Sequence, residues 1–432
     1  MRIEATPRNR AGELSLEIYA KTLALVRGDR LVKNHVSLNG HHLLVDDLRF
    51  NLTEIDRVVV AGAGKAAPAM AQGLEEILGQ RIHDGLIVTK HGHAEPLQYC
   101  QTIEASHPIP GEDSLKAGEM MLRFGEKHLG TNLVLFLLSG GASALMESPV
   151  DGVSLDDLQL VNRELLASGA TILTINAIRS RLSKVKAGGL ARAFGEAAVV
   201  VLALSDVEGD RLGVIGSGPF VPPKLIPNLA ELLSAYSFDS KFPPHILRSL
   251  KEPSPSHEGE EPAHRILGNA RTMGKAAKAV AEELGLNLFE AIPMQGEARE
   301  FPSYIAQNDL FPGGRFENDC LIAVGETVVR KMGDGLGGRA QEMGCVFADQ
   351  VAGDSDVAVL VAGSDGTDGP TDAAGALVDG ETITRARERG FTVEQTLAEN
   401  DSYHFHEAAA TLVKTGPTGT NLNDIVVVVR AV

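Results

Sequence analysis

The sequence predicts an α/β protein with mainly parallel sheets, built as two domains. Three observations carry this. The chain has 432 residues, too many for one ordinary core. Short apolar runs rich in β-branched residues recur along it and end in glycine, serine or aspartate. Helix-like stretches separate most of them, which is the pattern of parallel strands buried on both faces.

The runs appear in the order "RVVVAGAGK", "GLIVTK", "NLVLFLLSGGAS", "AAVVVLALSDVEGD", "HRILGN", "CLIAVGE", "DVAVLVAGSDG" and "NDIVVVVRAV". Amphipathic stretches such as "AAPAMAQGLEEIL", "SLKAGEMMLRFGEKHL" and "TMGKAAKAVAEELG" read as the intervening helices. The segment Lys251 to His264, "KEPSPSHEGEEPAH", is almost without apolar residues and reads as an exposed linker. The helical, proline-containing stretch before it, from about Pro222 to Leu250, is expected to cross between domains. The expected division is therefore 1–250 and 251–432.

Composition narrows the function. Hydrophobic residues at 44% and charged residues at 22% are those of a globular protein. A net charge of -17, no tryptophan and 4% aromatics argue against nucleic acid or an anionic membrane as partner. No apolar run reaches the ~20 residues of a membrane helix, and no secretory signal is visible. Three cysteines without a C-x-x-C pair suit a reducing compartment. The expectation is a cytoplasmic protein whose partners are small molecules.

Ligands of parallel α/β sheets bind beyond the carboxyl ends of the strands, and the unusual residues lie there. Gly62 and Gly64 precede Lys65 between a strand and a helix. Backbone N–H groups at a helix start together with a lysine can hold an anion, although the pattern is neither a Walker A loop nor a complete G-x-G-x-x-G. Ser139, Gly140 and Gly141, followed by Ser143, form a second such turn; close helix–sheet packing would also account for its glycines. The segment "INAIRSRLSKVKAGGLARAF" concentrates Arg179, Arg181, Lys184, Lys186 and Arg192 near Asn176. It reads as an anion site, or else as a solvated charged face. Asp206 follows a strand, as does Glu326, and each could meet Mg2+ or a hydroxyl, or simply cap a turn. Arg339 follows a glycine-rich loop at a helix start. It could clamp a phosphoryl group or a carboxylate, or pair with Glu342 three residues on.

The stretch "GSDGTDGPTDAAGALVDG" holds Asp365, Asp368, Asp372 and Asp379 around Thr367 in a turn-rich loop. Carboxylates so close repel one another unless a cation neutralises them, and Mg2+ takes one or two protein carboxylates together with phosphate oxygens. Asx-turns account for about two of the four.

The ordered set "GAGKAAPAM", "HPIPGEDSL", "LLSGGASALMESP", "LSDVEGDRLGVIGSGP", "GGRAQE", "GSDGTDGPTDAAGALVDG" and "TGPTGTNLND" resembles the MOFRL-type, class II glycerate kinases over nearly the whole chain. The resemblance implies a Rossmann-like N-terminal domain, a smaller α/β C-terminal domain and an active-site cleft between them. It implies phosphorylation of D-glycerate by ATP with Mg2+, with 2-phosphoglycerate as the usual product, by a monomer or homodimer. On this reading Lys65, Arg339 and Asp206 are catalytic, and Asp365 and Glu326 hold the metal. Gly62, Gly64, Ser139, Gly140, Gly141, Ser143, Asn176, Lys186, Thr367, Asp372 and Asn421 bind substrate or nucleotide. The sequence departs from the family pattern at Ala187 and at Ala340, which replaces an amide. An NAD(P)H-dependent hydroxypyruvate reductase and a non-catalytic sugar-acid sensor are the rival readings.

Overall fold

The computed structural model describes residues 2–130, 132–222, 228–252, 261–288, 292–307 and 318–431. Contacts divide the chain into two compact units, Gly28–Leu267 and Met1–Arg27 with Gly268–Val432.

The first unit is built on a six-stranded sheet. Its strands are Val58–Ala63, Ile82–Lys90, Gln101–Ala105, Leu133–Leu138, Ala198–Leu204 and Ala263–Gly268. Numbered in chain order they lie 3-2-1-4-5-6, and the first five run parallel. This is the Rossmann order, in which the chain reverses its winding direction between strands 1 and 4. One face of these strands buries Val59, Ala61, Val134, Phe136 and Val201 against helix Glu112–Lys127 and its neighbours, and the other face, with Val60, Leu135 and Val200, is buried too. The strands therefore read as unbroken apolar runs. A three-stranded antiparallel sheet, Val36–Asn39, His42–Val45 and Leu48–Asn51, belongs to the same unit.

The stretch expected to cross between domains instead completes this unit. Helices Phe238–Lys241 and Pro244–Lys251 bury Phe238, Phe242, Ile246 and Leu250 with Val161, Leu165 and Ile178. Apolar side chains at that spacing need a core, and this unit supplies it. Most of the expected linker, residues 253–260, lies outside the described residues.

The second unit carries a mixed sheet that is mainly antiparallel, unlike the parallel sheet expected. Strand Asp424–Ala431 lies at its centre, antiparallel both to Asn318–Gly325 and to Val357–Gly363. Val357–Gly363 turns back on Gly375–Asp379 as a hairpin, so residues 364–374 of the glycine- and aspartate-rich stretch are its loop and Asp379 ends its second strand. The N-terminal helix Arg10–Leu25 joins this unit rather than the one that follows it in sequence. Asn9 caps it by accepting from Gly12 N at 2.8 Å and ties it to Ser355 O at 2.8 Å, and the buried Tyr19 donates to Gly363 O at 2.7 Å. Together with strand Ala263–Gly268 in the other sheet, this helix moves the division away from residue 250.

Candidate active site

The first constellation sits where strands 1 and 4 of the parallel sheet diverge, at Ala63 and Leu138, which are register partners. Gly64 follows strand 1 with φ +133°, a conformation that favours glycine. A Cβ there would stand 2.8 Å from the Ser139 carbonyl carbon. The two turns are thus pressed together. Lys65 N donates to Gly140 O at 3.0 Å, Ala66 N donates to Ser139 Oγ at 3.0 Å, and Ser139 N donates to Ala63 O at 3.1 Å. Gly62 lies within strand 1, so it packs the sheet and does not face the turn. The half-buried Lys65 stem passes over Gly141, whose Cβ would lie 3.4 Å from Lys65 Cγ and 3.2 Å from His107 Cδ2. His107 is therefore a member of this group that sequence reasoning did not single out. Its signal was its place two residues after the strand Gln101–Ala105 in the same sheet.

Ser143 Oγ is 2.8 Å from Ser217 Oγ and accepts from Arg179 Nη2 at 3.4 Å. Asn176 precedes Arg179 by one helical turn in Ile172–Arg181. Asp206 is half-buried just past strand 5, Ala198–Leu204.

Lys186, expected as an anion contact, is enclosed. It is 1% exposed and forms an ion pair with Glu147, itself 3% exposed. Glu147 also accepts from Ser183 Oγ at 2.5 Å and from Ser148 N at 3.0 Å. Burial lowers the Lys186 pKa, and the Glu147 charge opposes that shift. Lys186 also lines a cavity of about 230 Å3 with Arg181, Arg192, Ser180 and Ser183. Nothing in the sequence marked Glu147 as its partner.

The second constellation is made by the antiparallel sheet. Because Asp424 opens the central strand, it is level with Gly325 and Gly363, which close the two neighbouring strands. Glu326, Ser364 and Asp365 therefore emerge at the same end of the sheet as Asp424. Arg339, the first residue of helix Arg339–Gln350, reaches this end. Its Nε donates to Asp424 Oδ2 at 2.5 Å and its Nη2 to Asp424 Oδ1 at 3.3 Å, while Nη1 pairs with Glu326. Burial pulls the guanidinium pKa down, but the Asp424 and Glu326 charges more than restore it. Glu342, the partner expected from helix spacing, pairs with Arg299 instead.

Asp365 is buried and accepts from Thr367 N at 2.9 Å and Thr367 Oγ1 at 3.2 Å. Asp368 is 3% exposed and accepts from Ala340 N at 3.1 Å, Gln341 N at 2.8 Å and Gln341 Nε2 at 3.0 Å. Burial, then the charge of Asp424, pushes its carboxyl up to about 7. Burial likewise raises Asp424, against the pull of Arg339. Asp372 stands apart from this group, on the surface, accepting from Lys414 Nζ and Tyr403 OH, each at 2.8 Å. The loop carrying Asn421 is pinned to the hairpin loop: Leu422 N donates to Ser364 Oγ at 2.7 Å and Thr418 Oγ1 to Ser364 O at 2.5 Å. Ala340 is buried in the unit's apolar cluster, so its side chain serves the core.

Among the described residues no group of three or more His, Cys, Asp or Glu is arranged as a metal cage. The donor set nevertheless fits Mg2+. Glu326, Asp368 and Asp424 act on the Arg339 guanidinium and Asp365 acts on Asp424, and Mg2+ needs only one or two protein carboxylates when phosphate supplies the rest.

Fold and site together define an α/β protein in which two glycine turns meet beside Lys65 at a topological switch point and an arginine–carboxylate cluster lies at the end of a second sheet. Residues 319–424 match the MOFRL family model, and residues 14–251 match that of a domain of unknown function, DUF4147. The chain is 38% identical to the D-glycerate 2-kinase of Thermotoga maritima, covering 96% of this chain and 97% of that protein. It is 37% identical to a protein of Agrobacterium vitis named for hydroxypyruvate reductase activity, covering 85% of this chain and 86% of that one. The crystal structure of the Thermotoga maritima glycerate kinase matches with a TM-score of 0.79 at 37% identity, covering 97% of this chain and 99% of that chain. The chain belongs to the MOFRL-type glycerate kinase family.

Proposed function

We propose that this protein transfers the γ-phosphoryl group of ATP to the 2-hydroxyl of D-glycerate, with Mg2+, giving 2-phosphoglycerate and ADP. The observation that carries the reading is Lys65 in a backbone cradle at the switch point of a sheet whose chain belongs to the glycerate kinases. The hydroxyl oxygen attacks phosphorus, the bond to the β-phosphate oxygen breaks, and ADP leaves. Asp206 takes the hydroxyl proton. Lys65 and Arg339 neutralise the transferring phosphate and the substrate carboxylate, with Lys186 as a further anion contact. Asp365 and Glu326 hold Mg2+, which offsets phosphate charge when bound. The turns at Gly64 and Ser139–Gly141 direct backbone dipoles toward anionic oxygens. Ser143, Asn176, Thr367, Asp372 and Asn421 contact substrate or nucleotide. A cytoplasmic setting accords with three buried free thiols and with there being no helix, among the described residues, long and apolar enough to cross a membrane.

The test is incubation with ATP, Mg2+ and D-glycerate, followed by NMR identification of the phosphoglycerate isomer. The name of the Agrobacterium vitis relative makes NADH oxidation with hydroxypyruvate the control. Nicotinamide turnover without ADP formation would replace the kinase reading.

A further inference from the structure

We propose that Asp368 is a positioning residue for the phosphoryl transfer proposed above: it seats the start of helix Arg339–Gln350 so that Arg339 reaches Asp424 and Glu326.

The helix has a glycine, Gly338, at its N-cap position and so has no cap side chain of its own. Its first N–H groups are orphans that something must satisfy. Asp368 comes from the hairpin loop and takes two of them, at Ala340 and Gln341, one on each carboxylate oxygen. It then holds the Gln341 side chain as well. Gln341 Nε2 donates to Asp368 Oδ2 at 3.0 Å, to Asp368 O at 3.3 Å and to Thr371 Oγ1 at 3.0 Å. One buried carboxylate thus fixes the first helical turn in position and rotation, and Arg339 is the residue just before the two N–H groups it grips. Gly338 is required by the same contact, since a Cβ there would collide with the Asp368 carboxyl group. Burying a carboxylate beside Asp424 is costly, as the upward shift of its pKa records. A neutral cap such as serine or asparagine would satisfy an N-terminal donor without that cost. The expense is explained if the carboxylate's two-oxygen grip sets where Arg339 points.

The inference rests on the kinase reading, and its test separates the two. Asp368→Asn keeps the shape and one acceptor oxygen but puts an amide donor against a backbone N–H. With D-glycerate, ATP and Mg2+, kcat should fall by about 10²-fold, the cost of a small misplacement of a catalytic group. KM for both substrates should change less than about 3-fold in a variant still folded at the assay temperature, which a merely structural role would not give. In the Asp368→Asn, Arg339→Lys double variant the losses should not multiply, because one residue acts through the other. Hydrogen exchange of the amides at 340 and 341 should quicken in Asp368→Asn whatever the substrate is. If the parent protein forms ADP with glycerate while Asp368→Asn keeps normal kcat, the inference is overturned. Losses that multiply fully with Arg339→Lys overturn it too, as does unchanged amide exchange. A parent protein inert toward glycerate sinks the kinase reading, and the exchange measurement then still decides whether Asp368 holds the helix.

Discussion

Replacing Glu147 by glutamine removes one charge from the most deeply buried ion pair described and leaves the side-chain shape intact. Lys186 is 1% exposed, so its ammonium cannot turn to water when its partner is neutralised. Removing one member of a buried pair costs about 3–5 kcal/mol, chiefly as the penalty of the charge left behind. For a unit of roughly this size each kcal/mol moves the melting temperature about 2–4 °C, so Glu147→Gln should lower the transition by about 10 °C. The pH dependence has a definite sign. Burial already depresses the Lys186 pKa, and without Glu147 nothing opposes that shift. The native state then prefers the neutral amine, so the deficit should be largest at low pH and shrink as pH rises. Calorimetry at pH 6 and pH 9 measures both effects. Glu147→Gln combined with Lys186→Met should recover most of the loss, because a buried apolar pair replaces a broken ionic one. The same double variant tests the anion role: if Lys186 touches substrate, kcat/KM falls even though the fold is restored. A Glu147→Gln melting temperature within about 2 °C of the parent at pH 6 would refute the buried-pair reasoning.

Arg339→Lys keeps the charge and loses the planar fork that grips Asp424; kcat should fall about 10²–10³-fold in a steady-state ADP assay, and near-normal kcat removes Arg339 from catalysis. EDTA should abolish ADP formation and added Mg2+ restore it, whereas full turnover by metal-free protein contradicts the assigned carboxylate role. The raised Asp368 carboxyl, facing Asp424 and Arg339, binds its proton more tightly folded than unfolded. It therefore stabilises fully below about pH 4, and that contribution is lost as pH rises through about 7. Urea unfolding of metal-free protein should show a stability drop between about pH 4 and pH 8, on the order of 4 kcal/mol at most, that Asp368→Asn abolishes.

The parallel half was legible because burial on both faces leaves its mark on composition: "VVVAGAG" and "LVLFLLSGG" read as core strands wherever they pair. The antiparallel half was not, for a matching reason. "NDIVVVVRAV" is equally apolar in either direction, so nothing in it marks that both of its neighbours run against it. That reversal also hid Asp424. A residue that opens a strand belongs, in a parallel sheet, to the end remote from ligands, whereas here the opening of the central strand lies beside the closings of its neighbours. Arg339 was visible as an arginine beyond a glycine loop. Its partner was not, because the i,i+3 spacing to Glu342 describes a residue within a helix, and Arg339 is the first residue, aimed back at the sheet.

The aspartate-rich stretch shows why clustered charge in a sequence need not mean one site. Its four carboxylates go to four different places. Asp365 closes an Asx-turn on Thr367, Asp368 caps the helix that begins at Arg339, Asp372 pairs with Lys414, and Asp379 binds Arg385. Two of the four, Asp372 and Asp379, thus acquire cations of their own. Asp368 remains with Asp424 and Glu326 around Arg339, and Asp365 lies close enough to Asp424 to act on its charge. Glu326, Asp368 and Asp424 around the Arg339 guanidinium gather negative charge in excess in a partly buried place, and burial, together with that charge, makes both Asp368 and Asp424 hold protons more tightly. An anionic substrate arriving alone would worsen that excess. An anion arriving with a divalent metal would relieve it, and metal-bound phosphate is the form in which a kinase receives its nucleotide.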